Sequence, residues 1–193
     1  MKRSAELQLK SRLQGAANQP KYNLPPWLIA DLRSDHAGET GAVYIYKGIL
    51  AVSRDKAVRT FAQHHLATEE KHLAIFSRLL TRKQQTYLLP LWRLMGWLTG
   101  ALPSLFGPTA VYATIVAVER FVDDHYEYQI KRLSPEGPYR ELRQLLIDCQ
   151  LDECAHRDEA ALLAGKRLGV LTKAWQSIVG LGSKIAVFFA KRI

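Results

Sequence analysis

Two stretches of the 193-residue chain read Glu-x-x-His: Glu69-Glu70-Lys71-His72 and Glu153-Cys154-Ala155-His156. Three residues turn a helix through roughly 300°, so carboxylate and imidazole share one face and can bind one cation together. Each pair has a single glutamate upstream. Glu39 precedes Glu69 by 30 residues, with a turn near Arg54 midway, and Glu119 precedes Glu153 by 34, with a turn at Glu136 midway. In an antiparallel helix hairpin, residues equidistant from the turn lie at the same height. Each half of the chain therefore sets one glutamate beside one Glu-x-x-His. Glu39, Glu69, His72, Glu119, Glu153 and His156 form the ligand set of a carboxylate-bridged pair of iron or manganese ions inside a four-helix bundle. Four ionised carboxylates inside a bundle would each cost several kcal/mol if unpaired, and two divalent cations balance them. Imidazole with carboxylate suits iron, and open coordination positions admit O2.

Outside the ligand set, Asp152 is placed to accept the free ring N–H of a histidine ligand, and Asp35 is assigned the equivalent part in the first half. His36, His64 and His65 have no partner at ligand spacing and are read as surface or structural residues.

The elements that must hold these residues are helical nearly throughout, and no stretch alternates with period two. The pattern predicts helices over residues 26–53, 56–81, 108–133, 139–164 and 172–191. Proline stands in the first turn of the earliest, and the turn at residues 134–138 reads Ser-Pro-Glu-Gly-Pro. No charged residue occurs from Leu94 to Val118, a length that would qualify as a membrane span. Gly96, Gly100, Pro103, Gly107 and Pro108 interrupt it, and it ends on Glu119, which must face the bundle interior. A short apolar helix and a turn before the next helix fit better. Residues 1–24 read as a basic flexible arm and residues 25–193 as one domain.

With 48% hydrophobic and 23% charged residues, wholesale disorder is excluded. The two cysteines, Cys149 and Cys154, form neither a CxxC nor a disulfide framework. The net charge of +9 lies at the ends: Lys2, Arg3, Lys10 and Arg12 against Glu6 in residues 1–20, and six cations without an acid in residues 160–193. Basic ends on a balanced, apolar body suit an anionic membrane surface, whereas a nucleic-acid binder carries its basic stripe on the body. In residues 172–191 and just before, Leu171, Trp175, Ile178, Gly182, Ile185 and Phe189 form one helix stripe, with Lys173, Lys184 and Lys191 nearly opposite. Such a helix can lie in a bilayer interface, and the apolar segment at residues 92–106 can dip in beside it. The arm has no apolar run and is no secretory signal.

Several motifs in order resemble the Coq7 demethoxyubiquinone hydroxylases. They are Leu32-Arg33-Ser34-Asp35-His36-Ala37-Gly38-Glu39, Glu69-Glu70-Lys71-His72-Leu73, Leu89-Pro90-Leu91-Trp92, Val116-Ala117-Val118-Glu119, His125-Tyr126 with Gln129, and Asp152-Glu153-Cys154-Ala155-His156. The resemblance runs from about residue 27 to the C-terminus. It implies an all-α fold, a ferritin-like antiparallel four-helix bundle with extra apolar and amphipathic membrane-associating helices. It also implies a di-iron, O2-dependent monooxygenase that hydroxylates the ring of a demethoxylated polyprenyl benzoquinone or quinol in ubiquinone biosynthesis. Iron ligation falls on the same six residues the spacing selects, and His125 and Tyr126 fall near the substrate or the reducing path. The sequence does not name the reductant, for which NADH is a candidate. A second copy of the chain or a ubiquinone-biosynthesis accessory protein is an expected partner, and nucleic acid is not. The expected location is peripheral, on the cytoplasmic face of a bacterial inner membrane, or on the matrix face of the mitochondrial inner membrane in a eukaryote. The alternatives are another ferritin-like di-iron oxidase or peroxidase with a different substrate, and a non-catalytic membrane-binding helical protein.

Overall fold

The computed structural model describes residues 24–165 and 168–193, so the basic arm expected over residues 1–24 lies, but for Leu24, outside the described residues. The described residues form α-helices joined by short turns, with one 3-10 turn at Arg82–Gln84 and no strand among them. Helix α1 spans Pro26–Val52 and α2 Lys56–Leu79. They are followed by α3 at Leu89–Ser104, α4 at Pro108–Arg132, α5 at Arg140–Ala164 and α6 at Val170–Ala190. The boundaries expected from the sequence hold to within a few residues.

Local chemistry sets the ends. Pro26 opens α1, where its missing N–H costs nothing and its fixed φ is already helical. Three residues then turn the chain: the Asp55 side chain accepts from the Val58 N–H at 2.9 Å to cap α2. Arg59 donates to the carbonyls of Leu50 and Ser53 and so closes the end of α1. Gly107, at φ +95°, makes the left-handed step before Pro108 starts α4.

The helices pack as hairpins. α1 lies against α2, α4 against α5, and α2 meets α5 to bring the two hairpins together. Two apolar clusters fill opposite ends of this body. One contains Ile45, Ile49, Val58, Phe61, Tyr112, Ile115 and Ala160, and the other Leu28, Leu32, Phe76, Tyr126, Ile130 and Leu146. Along α1, α2, α4 and α5, the expected ligand positions lie between the two clusters. Burial of each large side chain in these clusters contributes roughly 1.5–3 kcal/mol, so the polar layer is held shut from both ends.

α3 packs across the outside of α1, and its closeness is explained by glycine. A Cβ on Gly96 would overlap the Gly41 carbonyl, and one on Gly100 would overlap the Ile45 carbonyl; Gly48 meets the Trp97 carbonyl in the same way. Leu91, Leu94, Met95, Trp97, Leu105 and Phe106 of this helix and its end remain exposed.

α6 packs on α4 and α1. Here the sequence expectation needs correction. Trp175 does not belong to an outward stripe: it packs against the core, and its indole N–H donates to Thr114 Oγ1 at 2.8 Å. Val179 and Ala190 of the same helix are buried too, while Leu171, Ile178, Leu181, Ile185, Phe188 and Phe189 face outward. Lys191 is not free on a polar face either. Its ammonium lies 2.7 Å from Asp31 Oδ1, and the Arg132 guanidinium lies 2.6 Å from Oδ2 of the same buried carboxylate. That pair fastens the end of α6 to α1 and α4. No helix among the described residues is long and apolar enough to cross a membrane.

Candidate metal centre

The layer between the apolar ends receives Glu39 from α1, Glu69 and His72 from α2, Glu119 from α4, and Glu153 and His156 from α5; none of the six is more than 4% exposed. Ligand atoms of Glu39, Glu69, His72 and Glu153 lie within 4.8 Å of one another, and so do those of Glu69, Glu119, Glu153 and His156. All six residues selected from the sequence are thus brought together, in two groups that share Glu69 and Glu153.

The orientation of each ring matters as much as its position. His72 Nδ1 lies 2.9 Å from Glu153 Oε1 and 3.7 Å from Glu39 Oε2, while Nε2 faces Asp152 Oδ2 at 3.2 Å. A neutral imidazole donates from one nitrogen only, so a ring between carboxylates on both sides carries a second proton or a cation in its place. With Nε2–H given to Asp152, Nδ1 is the nitrogen left for a cation. Asp152 therefore occupies the place the sequence assigned it. His156 Nδ1 sits 3.0 Å from Glu153 Oε2 and 3.1 Å from Glu69 Oε1, out of line for a hydrogen bond with either. Glu39 Oε2, Glu69 Oε1 and Glu153 Oε2 are likewise buried without a hydrogen-bond partner. Native interiors satisfy nearly all such atoms, and a cluster of orphans converging from three helices fits a pair of cations.

The electrostatics agree. Burial, reinforced by Glu153 and Glu69, holds the Glu119 carboxyl well above the usual carboxylate range. Burial likewise raises Glu39 far up against the opposing pull of His72, and raises Glu69 with help from Glu153. Glu153 goes the other way, to about 2, because the pull of the adjacent His156 and His72 rings outweighs its burial. His72 is raised well above its ordinary value, and Glu153 and Glu69 lift His156 to about 11 despite burial. Protons thus occupy the positions that cations would fill. Groups with raised values bind their protons more tightly and must give them up to bind metal, so affinity falls as pH falls. Ferrous ion added anaerobically in weak buffer is expected to release protons, read with an indicator dye; binding without proton release would refute this account. In the metal-free protein the His156 contribution to stability is complete below pH 6.5 and is lost as pH rises through about 11.

Tyr126 donates its hydroxyl to Glu39 Oε1 at 2.6 Å and is fully buried. His125, beside it, is 12% exposed and lies within hydrogen-bond reach of Ser34 Oγ, Asp35 Oδ1 and Gln129 Nε2. Asp35 does not take the part the sequence assigned it. Placed one turn before Glu39, it faces α4 and accepts from Gln129 at 2.6 Å, away from either histidine ligand position. His36 is buried with Nε2 3.1 Å from Ser77 Oγ, and His64 is exposed.

Two residues stand closer to the centre than the sequence reading placed them: His65, read as surface or structural, and Tyr46, which it did not single out. His65 is buried with its ring edge-on to His156, centroids 4.1 Å apart, and Nε2 3.0 Å from Glu159. Tyr46 is buried within reach of the field of Glu119 and Glu69. One signal was available for each: His65 stands four residues before Glu69, and Tyr46 stands seven after Glu39, as Tyr126 stands seven after Glu119.

Comparison with known proteins gives a consistent result. The sequence pattern of the family described as "Ubiquinone biosynthesis protein COQ7" matches residues 27–190. The chain is 35% identical over 166 residues to the human mitochondrial NADPH-dependent 3-demethoxyubiquinone 3-hydroxylase, covering 84% of this chain and 76% of that one. It is 36% identical over 165 residues to the 3-demethoxyubiquinol 3-hydroxylase of Rhodospirillum rubrum, with the same coverage. The corresponding mitochondrial enzyme of Dictyostelium discoideum is 32% identical over 165 residues.

Proposed function

Because the chain belongs to the COQ7 family of ubiquinone biosynthesis proteins, we propose that it hydroxylates the ring of a demethoxylated polyprenyl benzoquinone or quinol. The observation that carries this reading is the pair of buried ligand groups sharing Glu69 and Glu153 in a layer plugged by apolar clusters. Glu39 and His72 would hold one iron ion, Glu119 and His156 the other, with Glu69 and Glu153 common to both, in a ferritin-like bundle. The bound iron pair would supply the activation of O2.

The reaction places one oxygen atom in a ring C–H bond and the other in water, and consumes two electrons and two protons. The reductant is taken to be a reduced nicotinamide, since the human relative is named as NADPH-dependent. The chain's own residues do the rest. Tyr126 holds Glu39 from one side, and Asp152 holds the His72 ring so that Nδ1 faces the centre. The apolar ends exclude bulk water from the layer that holds the ligands. His125, the member of its cluster open to solvent, joins Asp35 and Gln129 one turn from Glu39, where protons can enter. The exposed apolar residues of α3 and α6 supply a surface that can lie in a bilayer interface, where a polyprenylated quinone resides.

Expression in a ubiquinone-making host without its own hydroxylase tests the reading. The demethoxylated precursor is expected to disappear, with ubiquinone restored and the protein sedimenting with anionic lipid vesicles. The Glu119→Ala variant should leave the precursor in place while keeping its helical circular dichroism. Persistence of the precursor with folded, iron-loaded protein would refute the substrate and leave a di-iron oxidase of another kind.

A further inference from the structure

The two halves of the bundle are alike beyond the six ligand positions. Tyr46 follows Glu39 by seven residues on α1, and Tyr126 follows Glu119 by seven on α4. Seven residues are two turns, so each phenol lies on the face of its own helix's glutamate, about 10 Å along the axis. Tyr126 reaches across to the opposite glutamate and donates to Glu39. Tyr46 has no such bond: it is fully buried, and its hydroxyl is without a hydrogen-bond partner. Burying a hydroxyl unpaired is unfavourable, and such an atom in a native interior calls for a physical account.

The ring cannot swing out to find water. It stacks on His65 with centroids 6.0 Å apart and packs against Phe61 at 6.3 Å, while His65 meets the His156 ring edge-on. That chain of rings fixes the phenol beside the second ligand group, and among charged groups Glu119 acts on it most strongly.

We propose that Tyr46 is the positioning residue of the Glu119–His156 half of the centre, its hydroxyl donating to the Glu119 carboxylate in the loaded site as Tyr126 donates to Glu39. The proposal rests on the reading of the site as a two-metal centre. It gives the unpaired hydroxyl a partner, and it gives each of the two unshared glutamates one phenol from the opposite hairpin.

The test uses the full chain and Co(II) alone, whose visible absorption reports ligand geometry, in wild type, Tyr46→Phe and Tyr126→Phe. Tyr46→Phe is expected to melt at or above wild type without metal, because no existing bond is lost. Its weaker Co(II) step should fall about tenfold, the effect of one hydrogen bond to a charged group, with a shifted band. Tyr126→Phe should melt lower without metal, because Glu39 loses its donor. Wild-type Co(II) affinity and spectrum in Tyr46→Phe would overturn the proposal. So would a drop in its metal-free melting temperature like that of Tyr126→Phe, which would mark Tyr46 as structural. A wild-type chain that binds no Co(II) would overturn the two-metal reading itself, and this assignment with it.

Discussion

Glu153→Gln is expected to lose both metal ions, where Glu119→Gln loses chiefly one. Glu153 contributes to both ligand groups, whereas Glu119 contributes to one. Removal of an outer hydrogen-bond partner of a metal ligand typically weakens binding about 10–100-fold, so loss of a shared ligand should exceed about a hundredfold at each position. The two variants also differ without metal. Glu153 is the anion between His72 and His156. Breaking a buried pair of this kind costs about 3 kcal/mol, which corresponds to a fall of roughly 6–12 °C in melting temperature for a chain of this size. Glu119 sits among carboxylates that repel it, so its neutral isostere should leave the metal-free melting temperature within a few degrees of wild type. Anaerobic ferrous-ion titrations with thermal denaturation followed by circular dichroism measure both effects. Equal metal loss in the two variants would contradict the sharing of Glu153.

Gly100→Ala is expected to destabilise the fold by about 2 kcal/mol, although alanine is the better helix former by about 1 kcal/mol. The new Cβ would overlap the Ile45 carbonyl oxygen and stand 2.8 Å from its carbon and 3.0 Å from the Ile49 nitrogen. These are backbone atoms of α1, which cannot turn aside as a side chain can, so α3 must lift from its seat. Gly38→Ala is the matched control. It lies on α1 next to Glu39, and its Cβ would meet nothing within 4 Å. That variant should gain about 0.5–1 kcal/mol, as expected where helix propensity acts alone. Urea denaturation of the two variants decides the matter, and a Gly100→Ala protein as stable as wild type would refute the close seam.

The helices and the six convergent residues were legible because both depend on spacing along one element or across one turn. Proline and glycine mark the ends of the helices, and the 30- and 34-residue separations align the glutamates with the Glu-x-x-His pairs. The orientation of α6 was not legible. Its apolar residues extend well beyond one stripe, so a stripe through Leu171, Trp175 and Ile178 gave no sign that Trp175 turns inward to Thr114 while its neighbours face out. Lys191 misled for a related reason: its partner Asp31 lies 160 residues away, beyond any local pattern. Asp35 was assigned to the wrong histidine because the direction it faces, toward Gln129 on α4, depends on how one hairpin is laid on the other.

The glycine seam between α1 and α3 has a consequence for how this surface can change. Gly96 and Gly100 touch α1 through carbonyls and backbone nitrogens, atoms every residue possesses. Register along the seam is therefore set by the absence of side chains, and outward side chains, such as those of Leu94 and Met95, stay exposed beside it. Such a helix is a module whose exposed composition can drift, to follow a different neighbour, with little effect on the glutamate carried on the helix beneath.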